Sequence, residues 1–126
     1  MQAEGKLGKV VVAPEVLLTM IRQTVLSTPG VAHFYATWPE SIGKLLGFTS
    51  EEGLAIQVVD TSLTVDVHIV VYPDVQMIEL GRALQENVRR SIQELVGLQV
   101  KAVNVHIEDV EMEAGPDTQR PNPQGA

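Results

Sequence analysis

The stretch LAIQVVDTSLTVDVHIVVY, residues 54–72, constrains the fold more than any other part of this chain. Two β-prone runs, 54–59 and 63–72, flank the small polar residues Asp60, Thr61 and Ser62. Alternation on both sides of a short polar break predicts an antiparallel hairpin closed by a three-residue turn. Such a sheet is apolar on one face and must bury that face against other elements. Two segments of the chain can supply the cover.

The first is a helix expected over about 14–28. Pro14 suits its first turn, where the missing N–H costs nothing, and Glu15 suits the positive helix start. Leu17, Leu18, Ile21 and Val25 recur at helical spacing and form the core stripe, and Pro29-Gly30 ends the run. Val16 and Met20 project to one side of that stripe and Leu26 to the other, which predicts an apolar flank for self-association. The second helix is expected over about 75–96, capped by Asp74 and stopped by Gly97. Its core side is expected to carry Met77, Leu84, Val88, Ile92 and Leu95, and its length of roughly 33 Å spans a small sheet.

Three further strands complete the pattern. GKVVVA at 8–13 is a valine-rich apolar run, and VAHFYAT at 31–37 alternates weakly. Residues 99–112 alternate clearly, with Val103, Val105 and Ile107 on one face and Ala102, Asn104, His106 and Glu108 on the other. Residues 38–53 read as loop, with one helical turn near 42–46. The order β-α-β-β-β-α-β predicts a two-layer α+β domain over residues 1–113, with a mixed sheet and both helices on one face. Residues 114–126, AGPDTQRPNPQGA after Glu113, hold three prolines and no large apolar side chain, which predicts a disordered tail.

Composition excludes several functions. There is no cysteine, which removes disulfides, zinc-thiolate sites and cysteine nucleophiles and suits a reducing cytoplasm. The formal net charge of −7 repels phosphate backbones and anionic headgroups, so neither nucleic acid nor direct membrane insertion is expected. Arg89-Arg90 is the one adjacent basic pair, on a helix that also carries Glu79, Glu86 and Glu94; a solvated helix face explains it. The longest apolar stretch, 10–21, is too short for a bilayer, and MQAEGKLGK lacks the features of a signal peptide.

Motifs that carry chemistry are missing as well. GKLGK at 5–9 lacks the spacing of a phosphate-binding loop, and no GxGxxG, GxSxG, HExxH or calcium-loop pattern occurs. Glu51-Glu52 and the group Glu108, Asp109, Glu111 and Glu113 read as solvated charge, since acid–base work needs a cleft that separates two pKa values. His68 and His106 are the better candidates. Asp66 shares a face with His68; Asn104 and Glu108 share one with His106. If their strands were neighbours, two imidazoles with carboxylate help could meet a metal. Two histidines at unknown register weigh little against ordinary side chains on a solvated face, and His33 weighs less. The sequence therefore assigns no catalytic, cofactor-binding or metal residue and no cofactor, and the expectation is a protein that is not an enzyme.

Three strings carry a resemblance: GKVVVAPEVLLTMIRQTVLSTPGV (8–31), GLAIQVVDTSLTVDVHIVVYPD (53–74) and VRRSIQELVGLQVKAVNVHIEDV (88–110). They resemble the alkaline shock protein family, bacterial proteins of the cell-envelope stress response. In that family's pattern Gly97, Val103, Asn104 and Val105 belong to a signature of the fold. Ala13 departs from it, where many members have a serine cap, and so does Pro73, where many have glycine. The resemblance implies a non-enzymatic cytoplasmic scaffold or regulatory protein that forms homo-oligomers and reaches the membrane through an anchor-protein partner. Some relatives are linked to control of fatty-acid synthesis. The competing expectation is a regulatory module that binds a small ligand or metal on the His68/His106 face.

Overall fold

The computed structural model describes residues 2–35 and 49–112. The element order is β1 (Gln2–Gly5), β2 (Gly8–Val11), α1 (Pro14–Ser27), β3 (Val31–Phe34), β4 (Thr49–Glu51), β5 (Leu54–Val59), β6 (Ser62–Val71), α2 (Met77–Leu95) and β7 (Gln99–Val110). Strands β3 to β7 form one mixed sheet, and both helices pack on the same face of it, giving the expected two-layer α+β architecture.

β6 organises the sheet. Along one edge it pairs in parallel with β7 over its whole length. Its other edge is shared by two antiparallel partners: β5 along Ser62–Val67 and β3 along Ile69–Val71. The parallel pairing follows from the long connection through α2, since parallel neighbours need a crossover. Alternation then sorts β6 into faces. Leu63, Val65, Val67, Ile69 and Val71 are each fully buried under the helices. Each such side chain contributes about 1.5–3 kcal/mol on burial. The Arg22–Glu51 ion pair linking α1 to β4, at 2.7 Å but part-exposed, is worth at most about 1 kcal/mol. The apolar face, rather than surface charge, holds the layers together.

α1 buries Leu17, Leu18, Ile21 and Val25 as the periodicity predicts, over β3, β4 and β5. α2 lies against β7 and α1 and buries Leu80, Leu84, Val88 and Ile92, a strict four-residue stripe. Met77 and Leu95, expected in this core, are exposed, Leu95 at 73%, because they stand at the helix ends; Leu80 takes the inward place. The helix starts at Met77, two residues later than expected. Its N-cap is Gln76, with no side-chain cap bond, so Asp74 lies in the preceding turn and does not cap it. Gly97, with φ +83°, donates its N–H to the Ile92 carbonyl and ends the helix as the sequence predicts.

Other corrections concern strand ends and turns. The hairpin turn is two residues, Asp60-Thr61, because Asp60 adopts φ +56° and lets Ser62 pair directly with Val59. Residues 49–51, expected as loop, form β4 against β5, joined by Glu52-Gly53. Residues 2–5, not expected as a strand, pair with 8–11 in a separate two-stranded sheet, turning at Lys6-Leu7 between Gly5 and Gly8. β2 ends at Val11 rather than residue 13 and β7 at Val110 rather than residue 112; β3 ends at Phe34, and residues 36–37 of its expected run lie outside the described residues. The helical turn expected near 42–46 and the tail from residue 114 lie outside the described residues.

Candidate functional site: the helix-free face of β6 and β7

Register decides what the second sheet face displays. In the β6–β7 ladder Asp66 stands opposite Asn104, and His68 opposite His106. Side chains directly opposite on a parallel pair project to the same side, so the two imidazoles meet. Their rings stack with centroids 4.2 Å apart and planes 4° from parallel. The adjacency that the sequence left open is therefore present.

Each ring has a carboxylate beside it. His68 Nδ1 lies 2.6 Å from Glu108 Oε2, and His106 Nε2 lies 3.7 Å from Asp66 Oδ1. Asn104 donates from Nδ2 to the same Asp66 oxygen at 3.1 Å. A bulge supplies Glu108. The register shifts between the Ile69/Ile107 and Val70/Asp109 pairs, so Glu108 is the extra residue of β7. Bulges commonly re-aim a side chain in this way.

This face is not uniformly solvated. The His68 side chain is 13% exposed and that of Asp66 18%, whereas His106 is 47% exposed and Glu108 35%. Ala55, opposite Asp66 on β5, and Val70 of β6 are buried. The His68 backbone is also fixed at the seam where β3 and β5 share the β6 edge. Its N–H donates to the Gly53 carbonyl at 2.8 Å, and its carbonyl accepts from the Tyr35 N–H at 2.9 Å. Gly53 has φ +74°, and a Cβ there would lie 2.9 Å from the carbonyl oxygens of both His68 and Tyr35. Glycine at this position thus lets three strands close around one histidine.

His33 is not part of this group; its Nδ1 lies 3.0 Å from the Phe34 carbonyl oxygen and its Nε2 3.8 Å from Glu111 Oε1. Glu51, read as solvated charge, receives both Nε and Nη2 of Arg22, whose guanidinium also covers the Phe34 ring at 4.7 Å. No sequence signal pointed to that contact. Arg89 and Arg90 both reach Glu86, and the Arg89 hydrogen bond and charge hold that carboxyl below its ordinary range. The flank of α1 also differs from expectation. Val16 and Leu26 are exposed, but Met20 is half-buried against the core and lines a groove between the helices with Thr24, Asn87 and Ser91. Val16 and Met20 therefore do not form one exposed patch. No helix among the described residues is long and apolar enough to cross a membrane.

Comparison with known proteins places this geometry in context. The model of the alkaline shock protein 23 family, described by a cell envelope-related function, matches residues 2–112. The uncharacterized protein YqhY of Bacillus subtilis (strain 168) is 26% identical over 108 residues, covering 85% of this chain and 80% of that protein. Among solved structures, a tryptophan-to-alanine variant of the MamM CTD superposes with a TM-score of 0.50 at 17% identity, covering 86% of this chain and 92% of that one. The copper form of the MamM CTD gives 0.49 at 18% identity over 86% and 94%. At such identities the likeness is one of fold.

Proposed function

Because this chain belongs to the alkaline shock protein 23 family, whose described function is cell envelope-related, we propose that it is a non-enzymatic scaffold or regulatory protein of the bacterial envelope stress response. It works from the cytoplasm by self-association and through partner proteins, an anchor protein at the membrane among them. The observation that carries this reading is the N-terminal hairpin. All four residues of β1 and all four of β2 are exposed, and Leu7, Val10 and Val11 offer apolar side chains to the outside. A lone two-stranded hairpin is marginal in water, so an ordered one needs cover.

A second copy is the occupant we favour. Among the described residues β7 pairs only with β6, so one edge of a twelve-residue strand is open. Open edges and apolar hairpins are complementary through strand addition. Light scattering tests the reading with the wild type and Val10→Asp. The wild type should have a mass above that of one chain, and the variant should move toward one chain while its circular dichroism stays native. A wild type that remains monomeric at high concentration, or a variant that keeps the wild-type mass, contradicts it.

A further inference from the structure

We propose that His68, His106 and Glu108 form a binding site for a divalent transition-metal ion of the zinc, cobalt, nickel and copper group. One ligating atom from each of these three residues lies within 4.8 Å of the other two. Tetrahedral zinc with bonds of about 2.0–2.1 Å needs its ligand atoms roughly 3.4 Å apart. Reaching that spacing takes a closing movement of up to about 1.5 Å, an opening of the 2.6 Å His68–Glu108 contact and a turn of the His106 ring out of its stack on His68, because imidazole lone pairs lie in the ring plane. The two ligands that must move are those with room to do so, since the His106 and Glu108 side chains are 47% and 35% exposed. His68, sheltered and tied through its backbone to Gly53 and Tyr35, is the fixed ligand.

The donor set determines the class of ion. Two imidazoles and one carboxylate suit borderline cations, whereas magnesium and calcium call for mostly oxygen donors. Three protein ligands leave a fourth position for water or for a group from another molecule. The surroundings match as well. Asp66 lies 3.7 Å from His106 Nε2 and is itself held by Asn104. A carboxylate on the far nitrogen is the usual way a metal-bound imidazole is oriented; Asp66 is near enough to take that place once the His106 ring turns, though at 3.7 Å it is not hydrogen-bonded to it here. Asp109 and Glu111 follow on the same strand end, and the chain carries a net charge of −7, so the local field attracts a cation. Asn104, which the sequence could not explain, acts here as a positioning residue that fixes Asp66.

Ion pairing alone could also hold the two histidines beside their carboxylates, and the test separates the two. Untagged protein stripped with chelator is titrated calorimetrically with zinc, and separately with magnesium, alongside His106→Ala, Glu108→Gln and His33→Ala. His106 is exposed enough for its replacement to leave the fold intact, which circular dichroism checks. The expected result is one zinc per chain and no magnesium binding. Affinity should fall at least ten-fold in His106→Ala, fall in Glu108→Gln and stay unchanged in His33→Ala. Cobalt added to the wild type should give visible d–d bands that His106→Ala removes. Absence of zinc binding, binding that survives His106→Ala, or equal loss in His33→Ala overturns the site and leaves ion pairing as the role of these residues.

Discussion

The β6–β7 pair and the β1–β2 hairpin are built from the same kind of ladder in opposite circumstances. In the first, one face is sealed by two helices and the other holds a compact polar group. In the second, every strand residue is exposed. Pairing satisfies backbone groups in both, but only cover supplies stability. On the function proposed above, the body is complete by itself and the hairpin takes its cover from a second copy.

Substitutions should separate the two regions by the size of their effects. Ile69→Ala, at a fully buried position of β6, should cost about 2–5 kcal/mol in denaturant unfolding, since it removes apolar volume that the neighbours cannot fill. Gly53→Ala comes next. It forces an L side chain to positive φ and against two backbone carbonyls, so about 2 kcal/mol is expected, with a shifted His68 amide resonance as the local sign. A loss below about 0.5 kcal/mol would mean that the three strands do not close on Gly53 as described. Deleting residues 2–11 should leave the unfolding midpoint of a dilute sample nearly unchanged, within about 0.5 kcal/mol, because the body does not rest on the hairpin. Truncation after Glu113 should have the smallest effect of all, as the following residues offer almost nothing apolar to bury.

How much of this was legible in the sequence follows the same divide. The stripes Leu17/Leu18/Ile21/Val25 and Leu84/Val88/Ile92, the alternation of β6 and β7, and the stop at Gly97 all express local periodicity, and all hold in the structure. The hairpin of β1 was missed because Gln2–Gly5 has no apolar pattern; only the two glycines around Lys6-Leu7 hinted at a turn. Met77 and Leu95 were misplaced because periodicity does not say where a helix overruns its sheet. The polar face shows the deeper limit. Asp66, His68, Asn104, His106 and Glu108 could each be named from alternation, but their meeting depends on β6 and β7 being parallel neighbours in one register. That relation is set across thirty-eight residues of chain by the way α2 packs. Gly53 belongs to the same class. Its reason for being glycine lies in carbonyls from two other strands.

Whether a second copy of the chain covers the hairpin is read out by hydrogen exchange measured as a function of protein concentration. At low concentration the amides of residues 2–11 should exchange almost as freely as an unstructured peptide, while those of β6 stay protected. On raising the concentration, protection of residues 2–11 should rise with the measured mass and disappear in Val10→Asp. Free exchange of the hairpin at every concentration, with the wild type forming no larger species, would contradict the account.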